Sequence, residues 1–128
     1  MLNILVIDDD PAMTELLKLL LRPTGAKILA ANEGKTGIEI AKEAIPSIII
    51  LDLMMPEMDG WQVCKEIRKF SDCPILILSA LDSPGMVAAA LDAGADDYLI
   101  KPVMSGVLIA HINTLVRRSN LEKSGVLT

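Results

Sequence analysis

SIIILDLMMPEMDG, residues 47–60, decides how this chain folds. Its first part, Ser47 to Leu51, is a short apolar run rich in β-branched side chains, the mark of a strand buried on both faces of a parallel sheet. The run ends on Asp52. Asp59-Gly60 then reads as a turn device, because glycine permits positive φ. Working outward, Asn3 to Ile7 (NILVI) has the same character and also ends on an aspartate, Asp8. Pro74 to Leu78 (PILIL), Asp97 to Ile100 (DYLI) and the weaker Lys27 to Ala31 (KILAA) complete five expected strands.

Helical patterns separate these strands. The clearest opens with Asp10 as N-cap and Pro11 at the first helical position, then places Leu16, Leu17, Leu20 and Leu21 on a helical stripe. Glu33 to Ala44, Trp61 to Phe70, Pro84 to Ala93 and Gly106 to Arg118 supply four more. Strands alternating with helices of this length predict right-handed crossovers and a doubly wound parallel sheet with helices on both faces. The expected class is α/β, with one domain over residues 1–119 and a C-terminal tail or start of a linker over 120–128 (NLEKSGVLT).

Composition removes several function classes. A chain of 128 residues that is 52% apolar has room for one well-filled core. A net charge of -5 meets a phosphate backbone with repulsion, so direct nucleic-acid binding is not expected. Cys64 and Cys73 are wrongly spaced for a CxxC pair and His111 is the single histidine, which points away from a zinc site or disulfide framework and toward a reducing cytoplasm. The acids at 8–10 come too early for a secretory leader, and no apolar run approaches membrane-spanning length.

Ligands of open α/β sheets bind beyond the carboxyl ends of the strands. There the expected strands deliver Asp8 and Asp9, Asp52 and Ser79, while Lys101-Pro102 follows the last strand. So dense a set of carboxylates repels itself unless a hard cation sits within it, and Mg²⁺ suits it. Lys101 offers a point charge and Ser79 a hydroxyl to a phosphoryl group, and attack by Asp52 would give an acyl phosphate. Asp10 is explained as a cap, and Met54, Met55 and Met58 as loop and core packing. His111, on a helix near Leu108 and Leu115, is expected to be a partly exposed surface residue.

IDDD at 7–10, LDLMMPEMDG at 51–60, LSA at 78–80 and GADDYLIKP at 94–102 resemble the receiver domains of bacterial two-component response regulators, and the resemblance covers residues 3–118. It implies a flavodoxin-like sheet in the order 2-1-3-4-5. It implies that Asp52 accepts phosphate from a phosphohistidine on a sensor histidine kinase. Asp9 and Asp52 would bind Mg²⁺ directly, Asp8 through water, and the Met54 carbonyl would complete the protein ligands. Lys101, cis-bonded to Pro102, and Ser79 would contact the phosphoryl group. Ser79 and Tyr98 would move together as a switch that is reported at the face of the fourth helix, fifth strand and fifth helix.

Such a chain would be a cytoplasmic switch that promotes only its own phosphorylation and dephosphorylation. Its implied partners are the kinase, an output domain or downstream protein, and a second copy of itself across that same face. Two alternatives stand beside it. A pseudo-receiver binding module would lose part of the acid set or the lysine, which this chain keeps. An aspartyl-nucleophile phosphohydrolase would carry a second aspartate two residues after the nucleophile, where this chain has Met54.

The last third departs from receivers joined to winged-helix DNA-binding domains. Asp96, Asp97 and Arg118 of their charged network remain, but Met86, Val87, Val107 and His111 occupy its other positions, and Val103 stands where an aromatic is common. The helix over 84–93 carries Gly85 and the small Ala88, Ala89 and Ala90, so it is expected to be lightly anchored and easily shifted on phosphorylation. Met54 and Leu81 flank the expected in-line water path and predict a long-lived acyl phosphate.

Overall fold

The computed structural model describes residues 2–125. The strands are β1 (Asn3–Ile7), β2 (Lys27–Ala31), β3 (Ile48–Leu51), β4 (Ile75–Ser79) and β5 (Asp97–Ile100). The helices are α1 (Pro11–Leu20), α2 (Gly34–Ala44), α3 (Gly60–Arg68), α4 (Pro84–Asp92) and α5 (Ser105–Lys123). All strand pairs are parallel, in the order β2-β1-β3-β4-β5. This is the doubly wound, flavodoxin-like α/β fold.

Period-2 alternation divides the core into two layers. Leu5, Ile7, Ile49, Leu51, Ile75 and Ile77 point to one side of the sheet, where they meet Val63, Cys64 and Ile67 of α3 and Ala41 of α2. Ile4, Val6, Ile48, Ile50, Leu76 and Leu78 point to the other, against Leu17 of α1 and Leu108, Ile112 and Leu115 of α5. The uninterrupted IIIL of β3 is therefore shared between both layers, each fully buried aliphatic side chain contributing about 1.5–3 kcal/mol. Helix α4 is the weakly held element: Ala90 is its one buried residue among those described.

Three local features differ from expectation. Gly60 is not a positive-φ glycine. A Cβ there would run into the Asp52 carbonyl and Leu53 Cα, so glycine is needed for the close approach of α3 to the end of β3. Helix α5 continues past Arg118 to Lys123, so residues 120–123 of the expected tail are helical; residues 126–128 of that tail lie outside the described ones. A 3-10 turn over Arg22–Thr24, closed by the left-handed Gly25, has no counterpart in the expected elements.

Candidate functional site

The strands end on one rim because their registers align: Ile7 lies beside Leu51, and Leu51 beside Ile77. Asp8 follows β1, Asp52 follows β3, Ser79 closes β4 and Lys101 follows β5. Carboxylate oxygens of Asp8, Asp9 and Asp52 come within 4.8 Å of one another. Lys101 Nζ donates to Asp8 Oδ2 at 2.9 Å and stands 3.6 Å from Asp52 Oδ2. An all-oxygen donor set of this kind fits a hard divalent cation.

Burial sets the direction at Asp52, whereas neighbouring charge sets it at Lys101. Asp8 and Asp52 are 3% and 7% exposed. Burial raises the Asp52 pKa; the Lys101 charge opposes that shift and the Asp8 charge adds to it. For Lys101, burial disfavours the charge, but the hydrogen bond to Asp8 and the Asp52 and Asp8 charges outweigh it, so its pKa is raised. Lys101 thus remains charged beside Asp8 and Asp52.

Local hydrogen bonds fix the acids. Asp8 Oδ1 accepts the Asp10 N–H at 3.0 Å, and Asp10 Oδ1 accepts the Ala12 N–H at 2.9 Å, capping α1 as its sequence predicts. Asp52 Oδ1 accepts the Met54 N–H at 3.4 Å, while the Asp52 N–H donates to the Ile7 carbonyl. The Met54 side chain is 60% exposed and so does not pack as expected, whereas Met55 and Met58 do rest against the core. Asp59 caps α3 through a capping box with Gln62.

Both candidate switch residues hold the backbone of Leu81. Ser79, fully buried, accepts the Leu81 N–H at 3.3 Å, and the Tyr98 hydroxyl donates to the Leu81 carbonyl at 2.6 Å. Lys101-Pro102 is a cis peptide.

Some partners were not readable from spacing. His111 is partly exposed, but its Nδ1 lies 2.6 Å from Asp97 Oδ2, tying α5 to β5. Arg68 binds the carbonyls of Gly94, Ser71 and Cys73 and the carboxylate of Asp96. Asn32 bonds the Asp8 carbonyl and the Thr14 hydroxyl. Apart from the bonds of Arg68 to the nearby Ser71 and Cys73, these contacts join residues distant in sequence, and no local motif signals them. Cys64 and Cys73 are free and buried; burial pushes the Cys73 thiol up to about 12 and raises that of Cys64. No described helix is long and apolar enough to cross a membrane.

Residues 4–113 match the family described as response regulator receiver domain. The response regulator MprA of Mycobacterium ulcerans is 43% identical over 121 residues, 94% of this chain and 52% of that protein. The transcriptional regulatory protein AfsQ1 of Streptomyces coelicolor is 38% identical over 122 residues, 95% of this chain and 54% of that protein. The chain thus spans about half the length of the curated relatives it matches. A crystal structure of a two-component response regulator from Clostridium difficile superposes with a TM-score of 0.89 at 32% identity, covering 94% of this chain and 99% of that one. The Francisella response regulator 1452 receiver domain gives 0.86 at 34% identity, with 93% and 99% covered. This chain belongs to the response-regulator receiver domains of two-component signalling systems.

Proposed function

We propose that Asp52 accepts a phosphoryl group from a phosphohistidine of a sensor kinase in a Mg²⁺-dependent reaction, and that the resulting acyl phosphate switches the surface of this receiver. The observation that carries it is the meeting of Asp8, Asp9 and Asp52 within 4.8 Å, with the Lys101 ammonium against Asp8 and Asp52. Asp8, Asp9, Asp52 and the Met54 carbonyl are the candidate Mg²⁺ ligands. The bound ion would neutralise negative charge on the transferring phosphoryl oxygens.

The rest is performed by the chain's own groups. An Asp52 carboxylate oxygen attacks phosphorus as the bond to the donor imidazole nitrogen breaks, and that nitrogen keeps the electron pair. Lys101 exchanges its contact with Asp8 for one with the incoming phosphoryl oxygens. Ser79 leaves the Leu81 N–H to donate to the same group, and Tyr98 follows because its hydroxyl holds the Leu81 carbonyl. Helix α4, lightly anchored, shifts with them.

Met86, Leu91, Ile100, Met104 and Val107, all exposed, supply an apolar α4-β5-α5 surface for a second copy or an output partner. AfsQ1, about twice as long as this chain, is named a transcriptional regulatory protein, which supports an output partner. A signalling switch of this family turns over no external substrate.

The test is incubation with a small phosphodonor and Mg²⁺, followed by mass spectrometry. A stoichiometric gain that disappears in Asp52→Asn supports the receiver. Continuous turnover of donor would indicate a phosphohydrolase, and no modification a pseudo-receiver.

A further inference from the structure

We propose that Asn32 is a positioning residue for the divalent-cation site, holding the turn that carries Asp8 and Asp9 through its side-chain amide. It rests on the cation-binding role given above to Asp8, Asp9 and Asp52.

The geometry begins with the β1-β2 ladder. Its last regular pair is Ile7 with Ala31. One more backbone bond follows, from the Asp8 N–H to the Ala31 carbonyl at 3.1 Å. In a parallel ladder the Asp8 carbonyl would next be met by a backbone N–H from the partner strand. Strand β2 has ended at Ala31, however, and the chain turns into α2 at Gly34. The side chain of Asn32 supplies the missing donor: Nδ2 lies 2.8 Å from the Asp8 carbonyl oxygen. The same nitrogen lies 3.3 Å from Thr14 Oγ1, whose hydroxyl donates to the Pro11 carbonyl at 3.0 Å. Thr14 is 3% exposed, so this second bond reaches into the packed base of α1.

Asn32 therefore joins the last rung of the sheet to the first turn of α1, on either side of the Asp8-Asp9-Asp10 turn. The Asp8 carboxylate is already committed at both oxygens, to the Asp10 N–H and to Lys101. Its direction is thus set by where its own backbone sits. Without Asn32 the Asp8 carbonyl loses its strut, and the mutually repelling acids can spread the turn. A cation would then have to close it before binding, which weakens affinity while leaving the closed, loaded site unchanged. Asn32 is itself exposed, so removing its amide leaves the core intact.

The experiment compares the full chain with Asn32→Ala after chelator treatment. Mg²⁺ alone is titrated by calorimetry, and phosphorylation by a small phosphodonor is followed as a function of Mg²⁺ concentration. We expect the Mg²⁺ dissociation constant and the half-saturating Mg²⁺ concentration to rise together, by about tenfold. The phosphorylation rate at saturating Mg²⁺ should stay within about twofold of wild type. Amide exchange at Asp9 and Asp10 should quicken in the metal-free variant. An unchanged dissociation constant would overturn the assignment, as would a maximal rate that falls as far as the affinity. Failure of the cation site itself appears separately, as an absence of Mg²⁺ binding by wild type.

Discussion

The Lys101 ammonium lies 2.9 Å from Asp8 Oδ2, joining residues 93 positions apart in the chain. Without a cation, this contact restrains the repulsion among the acids. Lys101→Met should therefore destabilise the metal-free protein by about 2–3 kcal/mol, less than for a fully buried pair because 18% of the lysine side chain is exposed. It should leave Mg²⁺ affinity equal or tighter, since a competing positive charge is gone, while phosphorylation slows at least about tenfold. Chemical denaturation, Mg²⁺ calorimetry and phosphorylation kinetics on one variant separate the three effects. Because the folded pKa of Lys101 is raised, its stabilising contribution is complete below the usual 10.5 and is lost as pH rises through the still higher folded value.

Asp52 has the opposite linkage. Its folded pKa lies above the ordinary 3.8, so between those values the folded state binds more protons than the unfolded. Its buried charge costs stability at neutral pH, and that cost is relieved as pH falls through the folded pKa. Asp52→Asn should accordingly raise the thermal midpoint at pH 7 in chelator by a few degrees, and the advantage should shrink toward pH 4. Equal differences at both pH values would contradict this. Phosphorylation of wild type should fall over the same acidic window as the nucleophile is protonated.

Leu81 is half-buried beside Ser79, whereas Met54 is mostly exposed. Exclusion of hydrolytic water should therefore depend more on Leu81. Leu81→Ser is expected to shorten the phosphoryl half-life by roughly threefold to tenfold, and Met54→Ser by less. Decay of the phosphorylated species after donor removal, followed by intact mass, measures both.

Arg68 places Nε 2.9 Å from the Gly94 carbonyl, Nη1 2.7 Å from that of Cys73 and Nη2 2.7 Å from Asp96, whose carboxylate also accepts the Ile75 N–H. One guanidinium thus fastens the end of α3 to the starts of β4 and β5. Arg68→Ala should cost about 1–3 kcal/mol, because it strands the carbonyls of Gly94 and Cys73, while the exposed Asp96 carboxylate stays solvated and adds little. Lysine should not restore the loss, since an ammonium cannot span the same fork. Urea denaturation of the three proteins is sufficient to check it.

Ile45 ends α2 in the left-handed region, at φ 47, with its side chain 78% exposed. A β-branched residue is strained there and gains little burial in return. Ile45→Gly should stabilise the protein by about 0.5–1 kcal/mol, net of the added freedom of the unfolded chain. A lower denaturation midpoint would count against this.

What the sequence determined by itself is everything written in short-range pattern. The apolar runs at 3–7 and 48–51 locate strands because burial on both faces requires uninterrupted aliphatic residues. Asp10-Pro11 locates α1 because capping is a local interaction. The rim acids, Ser79 and Lys101 were legible because strand ends in a parallel sheet must converge. Tertiary structure alone decided the long-range partners: Lys101 with Asp8, Arg68 with Gly94 and Asp96, His111 with Asp97, and Asn32 with Asp8. It also showed that Gly60 serves a close approach to Asp52 rather than a turn angle. Those contacts depend on the relative placement of elements far apart in the chain, which packing fixes and no local run of residues encodes.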